Sequence, residues 1–548
     1  MGRSKIVFIV GIFLFLQIDV YAQAEYVDES NPVYDFLERM ETIQVLNDYN
    51  SFEIPKTRKE ISFYLLAVLD KQEKLDANDR LMLKDFCSEF EFELYGTLNS
   101  SSGLIENNCY NFFSEKEKYL YFFSEKGKAN LFINLLAEGQ TIFYNDRLSK
   151  VNLSTSLGII GGDLRGTFID KFGFALKGTN GVNFGNKRAA LLRKGLVYNF
   201  KFNEKSDESF FDETSGYLTA DLDLVKFKVG RDRLKVGYGQ IGKIISDDAP
   251  VFDYLGFNIR YKFFSFSYFH GKLLGFNLID EKSISEKFIG YHRIGFNISK
   301  HLDIGLGEIV VYGNRGMDFA YLNPFAFYKS VEHSNYDRDN SMLFVDVNNN
   351  SVQRLKLFGT LLIDDISYGK IGSGWWGNQI YLNAGLVSDI FYDIFPLEFQ
   401  LEYTRIEPYV FSHRFLINNF SNFNHSFNRN LLPNSELFFG NLNYRFTNRL
   451  DISLNFLYSI HGENYLNENN ELVNVGGDIN LGHREGDSEK VKFLDGKRTY
   501  SRNIQLEINY ELINQFLLTI NFIYNNQSKT GTKSTDEMLS FFTLKTRF

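Results

Sequence analysis

The sequence predicts an all-β transmembrane barrel of about 18 antiparallel strands behind a small N-terminal α-helical domain. Three observations point there. From about Lys118 to the last residue, apolar side chains recur at every second position, the period of a strand with one dry and one wet face. The chain carries 56 Phe and 32 Tyr against 2 Trp, more rings than a soluble core needs and the kind that line both edges of a membrane barrel. Its 43 Gly and 7 Pro suit strands joined by tight turns.

The elements follow in order. Arg3 and Lys5 form a basic start, Ile6 to Leu16 an apolar stretch, and Val20-Tyr21-Ala22 before Gln23 a small-residue cleavage site. The apolar stretch is shorter than the ~20 residues of a spanning helix. Residues 1–22 are therefore expected to be a signal peptide cleaved near Ala22, and the protein to be exported. Residues 23–117 read as a helical periplasmic domain and linker. Asn31-Pro32 starts a helix carrying Val33, Phe36, Leu37, Met40 and Ile43. Thr57 with Glu60 is a capping box ahead of Ile61, Tyr64, Leu65, Val68 and Leu69. Asp76 caps a third helix bearing Leu81, Leu83, Phe86 and Phe90.

Residues 118–548 read as the barrel. Ile504, Leu506, Ile508 and Tyr510 alternate with Asn503, Gln505, Glu507, Asn509 and Glu511, and Leu450, Ile452, Leu454 and Phe456 with Asp451, Ser453 and Asn455. Soluble sandwiches also alternate, but these strands approach the ~9–11 residues of a tilted spanning strand. Their polar faces carry full charges, as a wet lumen allows. Counting back from Phe548 places the first strand from Ala129 to Gly139. Short turns such as Thr447-Asn448-Arg449 alternate with long loops such as Ser412 to Asn434 and His461 to Ser501. In barrels short turns are periplasmic and long loops extracellular.

Several functions are excluded or disfavoured. A net charge of -9 with dispersed Lys and Arg offers no stripe for nucleic acid. The eight His are scattered and form no H-x-x-x-H pair, so no metal and no cofactor are expected. Asp247-Asp248 and Asp364-Asp365 are adjacent, and adjacent residues in a strand point to opposite faces, which makes them poor as the facing pair of a glycosidase and better suited to solvating loops; no enzyme is expected. A Ser-His dyad assembled across strands, as in a barrel hydrolase, stays open as a third possibility behind a binding protein and a porin-like channel. Cys87 and Cys109 are the only cysteines, and in an oxidising compartment they are expected to tether helices to barrel, or else to stay buried thiols.

Parity places three candidate clusters outside: Tyr238, Asp247 and Asp248 in one loop, Tyr336, Asp337 and Arg338 in another, Trp375 and Trp376 in a third. Rings for stacking beside carboxylates and a guanidinium for hydroxyls suit a polysaccharide, although the Trp pair reads equally well as an interfacial girdle.

The last strand, Ser540 to Phe548, sets Phe542, Leu544, Thr546 and Phe548 on one face and ends on an aromatic. That ending resembles the signal by which barrels are recognised for outer-membrane insertion. The run Val229-Gly230-Arg231-Asp232-Arg233-Leu234-Lys235-Val236-Gly237-Tyr238-Gly239, then Ile245-Ser246-Asp247-Asp248-Ala249-Pro250, resembles the capsule assembly protein Wzi family. So do Tyr321-Leu322-Asn323-Pro324-Phe325, Asp339-Asn340, Leu362-Ile363-Asp364-Asp365, Glu402 to Tyr409 and Gly476-Gly477-Asp478. Family members often carry Trp where this chain has Val236 and Tyr238. The resemblance implies an 18-stranded outer-membrane barrel with a periplasmic helical bundle at its mouth. It further implies a non-enzymatic surface lectin, expected here as a monomer, that helps attach or organise capsular polysaccharide.

Overall fold

The computed structural model describes residues 23–105, 113–125, 128–199, 201–204, 207–247, 249–276 and 284–548. Residues 1–22, where a signal peptide cleaved near Ala22 is expected, lie outside them. Four helices come first: α1 (Val33–Thr42), α2 (Arg58–Leu69), α3 (Ala77–Glu89) and α4 (Glu91–Tyr95). Asn31 accepts from the Val33 N–H at 2.9 Å, and Pro32 is already helical. The capping box forms as the sequence predicts: Glu60 N–H donates to Thr57 Oγ1 at 3.2 Å, and Thr57 N–H to Glu60 Oε2 at 3.0 Å. Such a cap is worth about 1 kcal/mol. The expected stripes bury into one core of their own, except that Leu81 is exposed. Among the described residues no helix is long and apolar enough to cross a membrane.

Eighteen antiparallel strands close the barrel. They begin with β1 (Ala129–Asp146), β2 (Val151–Phe168), β3 (Phe172–Gly185), β4 (Phe210–Leu222), β5 (Val225–Asp232) and β6 (Phe252–Tyr261). Next come β7 (Phe264–Phe276), β8 (Ile284–Ser299), β9 (Leu302–Gly313), β10 (Asn340–Val352), β11 (Leu355–Asp365) and β12 (Gln379–Ser388). The last are β13 (Leu397–Ile406), β14 (Ser435–Thr447), β15 (Leu450–Glu463), β16 (Lys497–Ile513), β17 (Phe516–Lys529) and β18 (Thr535–Arg547). The first strand begins at Ala129, as the alternation places it, and runs past Gly139 to Asp146. Closure joins β18 to β1 from Glu537↔Asp146 to Arg547↔Leu136. Where β18 ends, Tyr121–Glu125 continues the pairing along the lower part of β1.

The alternation sorts side chains as read. Leu454, Phe456, Ile504, Phe522 and Phe542 stand exposed on the outer wall. On the inner wall, Asn509 hydrogen-bonds Glu507 at 3.0 Å and Asp451 at 3.3 Å, and Asn441 reaches Asn455 at 2.7 Å. Every second hairpin is a short turn, so the barrel has a short-turn rim and a long-loop rim.

Candidate functional site

The helices lodge in the short-turn rim through charges that face each other across the mouth. Arg39 of α1 lies among Asp79 at 3.4 Å, Asp389 of the β12–β13 turn at 3.4 Å and Asp76 at 3.8 Å. Lys356 of β11, fully buried, holds Glu41 at 2.7 Å and Glu38 at 2.9 Å. Lys226 of β5 meets Glu60 at 3.0 Å. Between α1 and α2 the chain dips into the lumen. There Glu53 accepts from Tyr291 Oη at 2.6 Å, and Glu53–Ile54 pairs with Lys235–Val236.

Burial and the neighbouring Glu398 push the Asp389 carboxyl up to about 8, and burial also raises Asp79, while Arg39 and Arg445 pull both down. The docked state thus holds a proton on Asp389 that the undocked state releases between an ordinary value near 3.8 and about 8, and the raised Asp79 carboxyl acts in the same direction. Docking is at its strongest at the acid end of that window and weakens as pH rises through about 8. Limited proteolysis of the helices in the detergent-solubilised protein should accelerate between pH 6 and 9, and a rate that falls over that range would contradict this.

From the other rim, loops turn inward. After β5, residues 233–247 fold into the lumen, where the Glu402 carboxylate of β13 accepts the N–H groups of Gln240, Ile241 (3.3 Å) and Gly242 (3.2 Å). Tyr381 donates to the Gly242 carbonyl, and Asn428 Nδ2 to the carbonyls of Ile241 (2.9 Å) and Lys243 (2.7 Å). Ile241, Ile244, Ile245, Phe358, Phe411 and Phe427 make an apolar core inside the barrel.

The other half of the lumen stays hollow. A cavity of about 990 Å³ runs along β1–β5 beside the segment Tyr26–Pro32. The segment between β3 and β4 roofs it, packing Ala190, Leu196 and Phe202 on Ile142, Leu157 and Phe211. Four ion pairs line it: Arg193 with Glu138, Lys177 with Asp28 at 2.7 Å, Arg547 with Asp163 at 3.0 Å, and Arg233 with Glu213 at 2.9 Å. Burial and then Asp28 push the Glu29 carboxyl up to about 7. Asp247 lines this cavity; burial opposes its charge, but Lys243, Lys194 and Lys235 hold its carboxyl low.

The remaining expected residues fall out as follows. Tyr238 is not in the outer layer: it is 1% exposed and packed on Phe52 deep in the lumen, because its loop turns inward. Asp248 and Cys109 lie outside the described residues. Cys87 is half-buried on α3, and burial pushes its thiol up to about 12. Trp375 and Trp376 both donate their indole N–H to Glu489 at 3.2 Å, and His483 stacks on Trp376 with centroids 3.9 Å apart. They sit in the loop layer, Trp375 bridged to Lys490 and the Trp376 N–H donating to the Glu489 carbonyl at 3.3 Å, rather than on the outer wall. Tyr336 is 92% exposed, while Arg414 donates to the Asp337 carbonyl and Asn418 to that of Arg338 at 2.7 Å.

One loop joins all three clusters. In residues 407–434, Tyr409 meets Trp376 edge-on, Arg414 and Asn418 reach Asp337 and Arg338, and Asn422 and His425 line the cavity beside Asp247. Its length was legible, its central position was not. Among the described residues no histidine ring is hydrogen-bonded to a serine hydroxyl.

No protein-family model matches the sequence, and no curated protein matches it. Solved structures do. The fold matches Wzi of Escherichia coli, an outer-membrane protein involved in group 1 capsule assembly and a carbohydrate-binding β-barrel. The match covers 94% of this chain and 99% of that one, at 10% identity and a TM-score of 0.57. OpdK of Pseudomonas aeruginosa, solved with vanillate, aligns over 76% of this chain and 99% of that one, at 9% identity and a TM-score of 0.45. OccK8 (OprE) of the same organism aligns over 76% and 98%, at 13% identity and a TM-score of 0.45. The architecture is that of an outer-membrane β-barrel, and the likeness to Wzi is one of fold.

Proposed function

We propose that this protein is an outer-membrane barrel that binds and organises capsular or other surface polysaccharide, without catalysing a reaction. The observation that carries the reading is the obstructed lumen: helices lodge in the short-turn rim, inward loops fill one half of the interior, and what remains outside is a layer of rings and charges. The short-turn rim then faces the periplasm and the long-loop rim the exterior. The fold shared with Wzi supports the same reading. A polymer would cross the 407–434 loop between Trp375–Trp376 and Tyr336–Arg338, with Asp247 at the mouth of the cavity. Rings offer faces to sugars, and the carboxylates and guanidinium offer partners to hydroxyls or uronic acids. Each contact is weak, so retention comes from many polymer repeats engaging together.

Trp376→Ala with Asp337→Ala removes one group from each side of that loop. The pair should lower polysaccharide retained at the cell surface several-fold, with heat-modifiable gel migration unchanged. Undiminished retention would remove the proposed surface. The cavity keeps a channel as the second reading, and single-channel recording separates the two: a large, steady conductance of the purified protein would favour the channel and overturn the closed binding protein.

A further inference from the structure

The connection between β9 and β10 does not stay above the barrel. It folds down along the outer wall of β7–β9. Asp318 N–H bonds Tyr312 Oη at 3.0 Å, near the long-loop end of β9, and Tyr268 donates to the Leu322 carbonyl at 3.0 Å. Lower still, Phe325 stacks on Phe266, centroids 5.1 Å apart. The chain then climbs back through the helix Tyr328–Ser334, whose first two N–H groups go to Glu308 at 2.8 and 3.2 Å.

The depth follows from strand geometry. A strand rising ~3.3 Å per residue and tilted ~40° gains about 2.5 Å of height per residue, so an apolar belt ~25 Å tall takes about ten residues. Counted from Phe264 at the short-turn rim, β7 leaves the belt near Lys272, beside the outward ion pair Arg231–Asp253. Phe266, Tyr268 and His270 therefore lie within it. So does the contact of the His292 ring with the Glu308 carboxyl group at 3.0 Å, one register step from Tyr268. Bare acyl chains could not solvate that pair. The insert covers it, lays Tyr328 on His292 with centroids 4.4 Å apart, and bonds part of its backbone to the wall, at Asp318 and Leu322, and part to its own Asp318 and Asn323, as a segment at membrane depth needs.

We infer that the segment Met317–Phe327 is a membrane-immersed insert whose exposed face contacts the acyl chains of the outer leaflet. Phe319 is 86% and Phe325 75% exposed, and Met317 and Phe327 stand out beside them. The only charge in this stretch, Asp318, caps Ala320 and pairs with Arg315 at 3.3 Å. Charge returns only on the climb, at Lys329, Glu332, His333, Asp337 and Arg338, where headgroups begin. The exposed rings continue the lipid-facing surface of Leu306 and Val345 on the adjoining strands, so lipid is the occupant that fits.

This rests on the membrane placement proposed above, and the test separates the two. In a Trp375→Phe, Trp376→Phe background, one tryptophan is introduced as Phe319→Trp, Phe325→Trp, Leu454→Trp or Tyr336→Trp. The proteins are reconstituted in phosphatidylcholine vesicles with and without brominated acyl chains. Phe319→Trp and Phe325→Trp should be quenched by the brominated lipid as strongly as Leu454→Trp and be shielded from iodide, with Tyr336→Trp behaving oppositely. Iodide quenching of the two insert variants while Leu454→Trp responds to bromine would overturn the insert alone. Loss of bromine quenching at Leu454→Trp as well would overturn the membrane placement and the insert with it.

Discussion

Arg39→Met should undock the helical domain from the barrel. Arg39 is fully buried and is the cation on which Asp76, Asp79 and Asp389 converge. Burial disfavours its charge, but Asp79 and Asp389 more than restore it. Methionine fills much of the same space and leaves three acidic side chains without their nearest cation, two of them, Asp79 and Asp389, buried. Removing one partner from a buried ion pair costs about 3–5 kcal/mol, most of it the charge left behind. Arg39 bridges two bodies, because Asp389 belongs to a barrel turn and Asp79 to α3. The cost therefore falls on docking rather than on closure of the barrel. Helices in the purified variant should become susceptible to protease while heat-modifiable migration of the barrel stays as in the parent. The triple change Arg39→Met, Asp79→Asn, Asp389→Asn removes the two buried acids of the three, leaving the more exposed Asp76, and should recover much of the protection. Unchanged protease resistance in the single variant would mean that Lys356, Glu38 and Glu41 hold the domain without help.

The in-or-out assignment of residues was legible because a strand turns over every residue. Asn503 to Glu511 sorts into inner amides and outer aliphatics from the sequence alone, and the caps at Thr57 and Asp76 announce helices through local chemistry. What fills the barrel was not legible. Glu402 occupies an inward position and reads as one more charge on a wet wall; only the fold brings Gln240 to Gly242 against it. Tyr238 went astray for that reason, since parity fixes the rim from which a loop leaves but not whether the loop then bends inward. The Arg193–Glu138 and Lys356–Glu41 pairs join residues far apart in the chain and leave no periodic trace.

One signal was present and unread. Tyr268, His270, His292 and Glu308 fall on outward positions, where alternation calls for apolar side chains. Polar groups there demand a cover, and Tyr321 to Lys329 is the segment that supplies it. The 407–434 loop, by contrast, could be recognised as long but not as the place where three clusters meet, because Tyr409, Asn418 and His425 find their partners on three different loops.

Leu454→Arg should destabilise the barrel by roughly 2–4 kcal/mol, the cost of a cationic side chain at the bilayer midplane of a barrel's lipid face. Leu454 is 45% exposed on the outer wall, flanked across the ladders by Leu442 of β14 and Leu506 of β16. β15 starts at Leu450 on the short-turn rim, so a belt of about ten residues puts Leu454 close to its middle. Its neighbour Asn455 points inward and accepts a hydrogen bond from Asn441 at 2.7 Å, in a lumen that already holds Glu507 and Asp451. Asn455→Arg meets water and carboxylates instead of acyl chains, and should cost far less. Denaturant unfolding of both variants in lipid vesicles, read by gel migration of the folded form, compares them directly. Equal tolerance would mean that Leu454 does not face lipid, and the outward belt would have to be sought on another surface of the barrel.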